Sequence, residues 1–562
     1  MAGNILTPVG IWGDFSINSV PSAVTVEEKN EDGVVFSRLI IDGRETSDGQ
    51  VKVYGELVRG KKTGSLPLVF LVRDFTGDGD EQLIMDLVSR GFAVFNIDLA
   101  GEQEGKTYFT SYPESVSYAN YKNAEGNLFS VKGDVKDTCW YEWTAVCRYA
   151  LAYLKSLQSV KSIGGFGVGE AATVLWQVAA MDETLSCAVF AKNAGWSGYR
   201  GIHKFGGKVE PQFSDDMLKF IAGVEPQAYA MHVKCPVLML SPTNSSVYDA
   251  DRTFDTISRI DESVYTAVHY SIGYSDKICL DAYENAVTFF ETFICGKKKE
   301  LPGEIDIKCE LLDGKIIVEV SPDLKGIKKV RLWAAEEITE PSQRCWNKIS
   351  THDQKDGDTF VFDYTPYYKS GIVTFFATAE YKNGFVIGSN VIARKFQEEE
   401  IAFTYKSNII YSSRIVDSES VFTAENQNRE NVGLVNTVSK KQVLVKKGPM
   451  GIDGVYCEWG LLTYKVKPKK YAPSEGAMLM FDVYAKTDCE VSVKLIADAM
   501  NTKTEYVARV KIRGGEVWHN VRLEQSRFKT AEGMSLKSYE KIDALSFSVD
   551  GAEYLINNAL WV

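Results

Sequence analysis

The stretch Ser162-Ile-Gly-Gly-Phe-Gly-Val-Gly-Glu170 decides the fold. Residues 162–166 read as a short buried strand. The glycines up to Gly169 make a tight turn, and residues 168–181 continue with the apolar spacing of a helix. Strand, glycine turn and helix in direct succession form a βα unit, the building block of a parallel sheet buried on both faces.

The same grammar repeats outward. Apolar runs at 67–72, 92–97, 187–191, 236–240 and 264–270 read as strands, and residues 80–90, 139–157, 251–260 and 280–295 as helices. Two further strands, 34–42 and 50–58, flank a Gly/Asp turn. Residues 1–30 read as irregular, with Trp12 and Phe15 as anchors. Segments 99–138 and 192–232 are long excursions after strands, which predicts a ligand-facing rim.

A strand–turn–helix of this kind is the setting of the Gly-x-Ser-x-Gly turn, which lifts a nucleophilic serine above a sheet. Here it reads Gly165-Phe166-Gly167-Val168-Gly169, which places Gly167 at the apex. Glycine has nothing to attack with. On this turn, on Val72-Arg-Asp-Phe75, on the run from Arg90 to Gly101 and on the run from Pro236 to Asn244, residues 30–296 resemble an α/β-hydrolase. The resemblance is to the acetyl-xylan-esterase, cephalosporin-deacetylase and dienelactone-hydrolase branch. It implies a Ser-His-acid relay, whose acid slot falls at Ser245, with Asp249 and Asp251 a little late. Its histidine slot falls in Tyr270-Ser-Ile-Gly-Tyr-Ser-Asp-Lys-Ile278, around Ser275, and no histidine is there. All three slots read as degenerate. A relocated site would use His203 with Asp74 or Glu170; His269 and His232 read as structural.

Other chemistries fit less well. The glycine run is not GxGxxG in register and no Lys-Ser/Thr follows, so a nucleotide loop is set aside. Asp74 to Glu81 resembles a calcium loop but has Met85 at its twelfth position. Glu102, Glu104 and Glu114 carry no spacing that marks a glycosidase pair. Ten cysteines include no CxxC pair, which argues against zinc and redox motifs. No metal or cofactor is expected. The net charge of −12 argues against nucleic-acid and anionic-membrane partners, and the Lys-rich stretch from Lys440 to Lys470 reads as a solvated face. No apolar run reaches about 18 residues, as a membrane helix requires. The N-terminus lacks a basic and an apolar leader region, so a cytoplasmic location is expected, although a chain whose leader had been removed would read the same.

At Gly296-Lys-Lys-Lys-Glu-Leu-Pro-Gly303 the helical pattern stops. The expected units are an extension (1–30), an α/β-hydrolase-like body (31–300), an immunoglobulin-like β-sandwich (301–398) and a jelly roll (399–562). Leu462 to Lys467, Leu479 to Ala485, Gly515 to Val521, Phe528 and Ile556 to Trp561 resemble a galactose-binding-like, carbohydrate-binding-module-type domain over about 455–562. That resemblance implies sugar stacking on loop aromatics, for which Tyr411, Tyr456 and Trp459 are the candidates. The favoured reading is a pseudo-esterase that binds carbohydrate or assembles with further copies of itself. The alternative is an active esterase, or another hydrolase or lyase, with a relocated site.

Overall fold

The computed structural model describes residues 6–562 except 62–63, 74, 76–80, 125–127, 208–210, 246, 274–277, 298–299, 350–354, 368–370, 416–420, 425–442 and 500–501. Nine strands form one sheet. They are β1 (Ala23–Glu31), β2 (Val34–Glu45), β3 (Gln50–Gly60), β4 (Leu66–Val72), β5 (Ala93–Ile97), β6 (Val160–Val168), β7 (Leu185–Ala191), β8 (Val237–Pro242) and β9 (Thr266–Ser271). The order is β1-β2-β3-β5-β4-β6-β7-β8-β9. From β5 onward every pair is parallel; β1, β2 and β3 run antiparallel.

Helices α1 (Glu81–Ser89) and α4 (Leu280–Phe293) cover one face, and α2 (Cys139–Ser156) and α3 (Ala172–Met181) cover the other. Helix α2 shows why. The Thr138 hydroxyl caps it, accepting from the Tyr141 amide at 3.4 Å. Trp140, Trp143, Cys147, Leu151 and Leu154 recur at three- and four-residue spacing and are buried. Each large side chain so buried contributes about 2 kcal/mol. This mostly parallel sheet with helices on both faces is the α/β-hydrolase arrangement.

Two all-β regions follow. In the first, β10 (Asp306–Leu312), β11 (Lys315–Ser321), β14 (Lys355–Asp356) and β15 (Thr359–Tyr364) form one sheet. The other sheet holds β12 (Ile327–Glu336), β13 (Asn347–Ile349), β16 (Gly371–Tyr381), β17 (Val386–Gly388) and β18 (Ile392–Phe396). Strands between Ile409 and Trp561 make two further antiparallel sheets. Val318, Leu332 and Phe375 belong to the same buried cluster as Phe166 of β6 and Phe290 of α4.

Some local expectations are corrected. Residues 1–30 are not irregular throughout: Pro8–Trp12 is a short helix and Ala23–Glu31 an edge strand. The charged run Glu27-Glu28-Lys29 hid the strand, because an edge strand need not alternate cleanly. Trp12 is an anchor, stacked on Tyr141 at 4.4 Å. The helix expected over 251–260 shrinks to Thr253–Ile257 after a 3-10 turn at Ala250–Arg252, because Asp251 and Arg252 are used in ion pairs.

Candidate functional site

Strand β6 runs two residues further than its sequence suggests, through Gly167 to Val168. Gly167 pairs with Val72 and Phe190 inside the sheet. A Cβ there would lie 2.8 Å from the Ala172 Cβ, so this glycine lets α3 pack directly on the strand. The reversal comes at Gly169, whose φ of +62° is a left-handed value that favours glycine. A 3-10 turn, Gly169–Ala171, then leads into α3. The apex is therefore Gly169, and Gly167 is corrected to a packing position. The register two residues on, Gly167-Val168-Gly169-Glu170-Ala171, ends in alanine rather than glycine, and the backbone angle selects it. In either register the apex carries no side chain.

The surroundings of Gly169 are polar and tied down. Its carbonyl accepts from the buried Asn193 Nδ2 at 3.0 Å, which also reaches Thr173 Oγ1 at 3.1 Å. Glu170 is half-buried, and burial raises its carboxyl above the ordinary range against the pull of Arg200.

The acid slot after β8 is neutral. Ser245 is buried, and its hydroxyl accepts from the amides of Val247 (3.1 Å) and Tyr248 (3.0 Å), a local turn. Asn244 Nδ2 donates to the carbonyl of Arg344 at 2.7 Å. Asp249 pairs with Arg252 at 3.0 Å. Asp251 is taken up by Arg344 of the first sandwich: both side chains are fully buried, with Nη2 to Oδ2 at 2.7 Å. Arg344 also donates to the carbonyls of Ile338 and Thr339. Trp346 packs edge-on to Phe376, which meets Tyr270 of β9 at 4.8 Å. Beside Asn244, Arg344, Cys345 and Trp346 a space of about 20 Å³ remains, room for about one water. The loop over 341–346 thus covers this end of the crevice.

In the histidine slot, Ser275 lies outside the described residues. His269 sits inside β9, buried, with Nε2 3.8 Å from Cys279 Sγ. Burial pushes its imidazole down to about 4 and the Cys279 thiol up to about 11, so both are neutral at pH 7. For the relocated site, Asp74 also lies outside the described residues. His203 is half-buried in the 192–232 excursion.

The sugar-stacking candidates divide. Tyr411 is corrected: it ends a strand, Ile409–Tyr411, paired with the C-terminal strand, and is 1% exposed against Phe422. Tyr456 is half-buried, with Lys446 Nζ 4.3 Å from its ring centroid, so that ring face is occupied. Trp459 is half-buried and borders the core of that sandwich. Trp561 fills the core of that sandwich.

No protein-family model matches the chain, and no curated protein is significantly similar to it. Solved structures resemble its first half. An acetyl xylan esterase from Paenibacillus sp. R4 is 16% identical, with a TM-score of 0.39, over 51% of this chain and 92% of its own. A dienelactone hydrolase-like protein from Klebsiella pneumoniae is 13% identical, with a TM-score of 0.32, over 47% and 99%. A glucuronoyl esterase from Solibacter usitatus is 10% identical, with a TM-score of 0.35, over 50% and 90%.

Proposed function

We propose that this chain uses an α/β-hydrolase body for binding rather than hydrolysis, with carbohydrate as the ligand class. The observation that carries the reading is Gly169 at the apex after β6, in the backbone conformation that elsewhere presents a nucleophile. Its supports are independent of one another. The Ser245 hydroxyl is spent on backbone amides. Asp251 is neutralised by Arg344. The 270–278 loop contains no histidine. Acyl transfer needs a nucleophile, a base and an orienting acid in contact; removing members of such a relay costs several orders of magnitude.

The test is p-nitrophenyl acetate turnover against a heat-denatured control. No turnover above that control is expected, and Gly169→Ser is expected to restore none, since it supplies neither base nor acid. A stoichiometric acylation burst from the unaltered chain would overturn the reading. Assembly into oligomers belongs to the same proposal. It is supported by β1 at the end of the sheet, whose outer edge pairs with no strand among the described residues, and sedimentation velocity tests it.

A further inference from the structure

The first sandwich carries the sequence's one Asn-Gly pair, Asn383-Gly384. It lies in the turn that joins β16 to β17. The Tyr381 amide donates to the Phe385 carbonyl and the Gly384 amide to the Tyr381 carbonyl, both at 2.9 Å, so three residues close the hairpin. Gly384 takes the left-handed position, with φ +84°. Lys382, Asn383 and Gly384 are all exposed, and a Cβ on Gly384 would meet nothing within 4 Å. Glycine adds no side chain to hinder the approach of its own nitrogen to the amide carbon of Asn383. Asn390, by contrast, is followed by the branched Val391.

The Asn383 side chain also holds two parts of the chain together. Its Oδ1 accepts from the Phe385 amide at 3.0 Å, and its Nδ2 donates to the Glu300 carbonyl at 3.1 Å. The second bond fastens the linker between the α/β-hydrolase body and the sandwich to this turn. Two residues on, the linker is held separately, by the Tyr265 hydroxyl donating to the Pro302 carbonyl at 3.0 Å. The Glu300 carbonyl only accepts, so the Asn383 position must supply an N–H for that bond to exist. A carboxylate in the same place has none to give. Both side-chain bonds keep the amide in place while the turn is closed. Exposed turns with few buried contacts are among the first parts of a fold to open.

We propose that Asn383 is a site of spontaneous deamidation, and that the reaction releases the linker at Glu300. When the turn opens, the Gly384 nitrogen attacks Asn383 Cγ. The N–Cγ bond forms, the Cγ–Nδ2 bond breaks, and ammonia leaves with the proton that the Gly384 nitrogen gives up. Water then opens the cyclic imide. Cleavage at Cγ leaves aspartate; cleavage at the main-chain carbonyl leaves isoaspartate, with an extra methylene in the backbone. Either way the donor to Glu300 is gone. The experiment incubates the full chain at pH 8 and maps the amide-to-acid mass gain peptide by peptide. Modification at Asn383 is expected at least tenfold above that at Asn390, and slower at pH 6.5, since the deprotonated nitrogen is the attacking form. In Asn383→Asp, hydrogen exchange over residues 300–304 should quicken at least threefold, with exchange in β12 unchanged. The aged chain carries no substitution and gives a second reading of the same exchange, and circular dichroism checks that both remain folded. Modification at Asn383 no greater than at Asn390 would overturn the site. Unchanged exchange over 300–304 in both Asn383→Asp and the aged chain would overturn the release.

Discussion

Replacing Arg344 by methionine should destabilise the chain by about 3–5 kcal/mol, the cost of stripping one partner from a buried ion pair. Neither member of the pair with Asp251 has any exposed side-chain surface. Methionine keeps an apolar stem but not the guanidinium that lies over Phe205 and Trp346, so lost ring contacts add to the cost while most of the stem volume stays filled. The rest of the loss comes from an uncompensated carboxylate and from the two carbonyls, Ile338 and Thr339, that lose a donor at about 1 kcal/mol each. The Asp249 carboxyl sits beside Asp251, and burial together with that neighbouring charge pushes it up to about 6. Without Arg344 the two acids face each other, and protonating one relieves the site. The variant should therefore lose more stability at pH 8 than at pH 5.5. Urea unfolding followed by tryptophan fluorescence and far-UV circular dichroism measures both. Arg344→Met with Asp251→Leu should recover at least half of the loss, because it removes both charges. A loss below 1 kcal/mol at pH 8, or a double variant as unstable as the two single changes summed, would refute the reasoning.

Other outcomes follow from packing and protonation. Gly167→Ser should cost about 1–3 kcal/mol by overpacking, since its Cβ would meet Ala172 at 2.8 Å; unchanged urea midpoints would show that α3 is loose there. His269 is held near 4, below its ordinary 6.5, so its neutral form stabilises the fold above pH 6.5 and that stability drains away as pH falls toward 4. The drain amounts to about 3 kcal/mol, and His269→Gln should flatten the acid-unfolding curve across that window. Trp12→Ala should cost about 3–5 kcal/mol, because the ring stacks on Tyr141 and its indole N–H donates to the Tyr229 hydroxyl at 3.2 Å; a thermal shift indistinguishable from zero would mean that the first helix is not anchored by this residue.

The parallel half of the fold was legible because strands buried on both faces must be nearly uninterrupted apolar runs. The turn after β6 was legible as a glycine turn but not in its register, since Gly165, Gly167 and Gly169 share one parity and differ only in φ. The closure of the crevice was not legible. Arg344 and Asp251 are distant in sequence, and nothing local marks either as the partner of the other. Tyr411 misled because Ile-Ile-Tyr reads equally as a loop edge or as a short strand, and pairing with the C-terminal strand decides it.

The shared cluster joining Phe166 and Phe290 to Leu332 and Phe375 has a consequence for synthesis. A growing chain emerges N-terminus first at about 5–20 residues per second. Asn285 of α4 and Val386 of β17, which exchange hydrogen bonds, lie 101 residues apart, so that face of α4 leaves the ribosome several seconds before its cover does. During that interval the nascent body presents an apolar surface suited to a chaperone. Force measurements on stalled chains should register its final docking only once residues near 380 have cleared the exit tunnel.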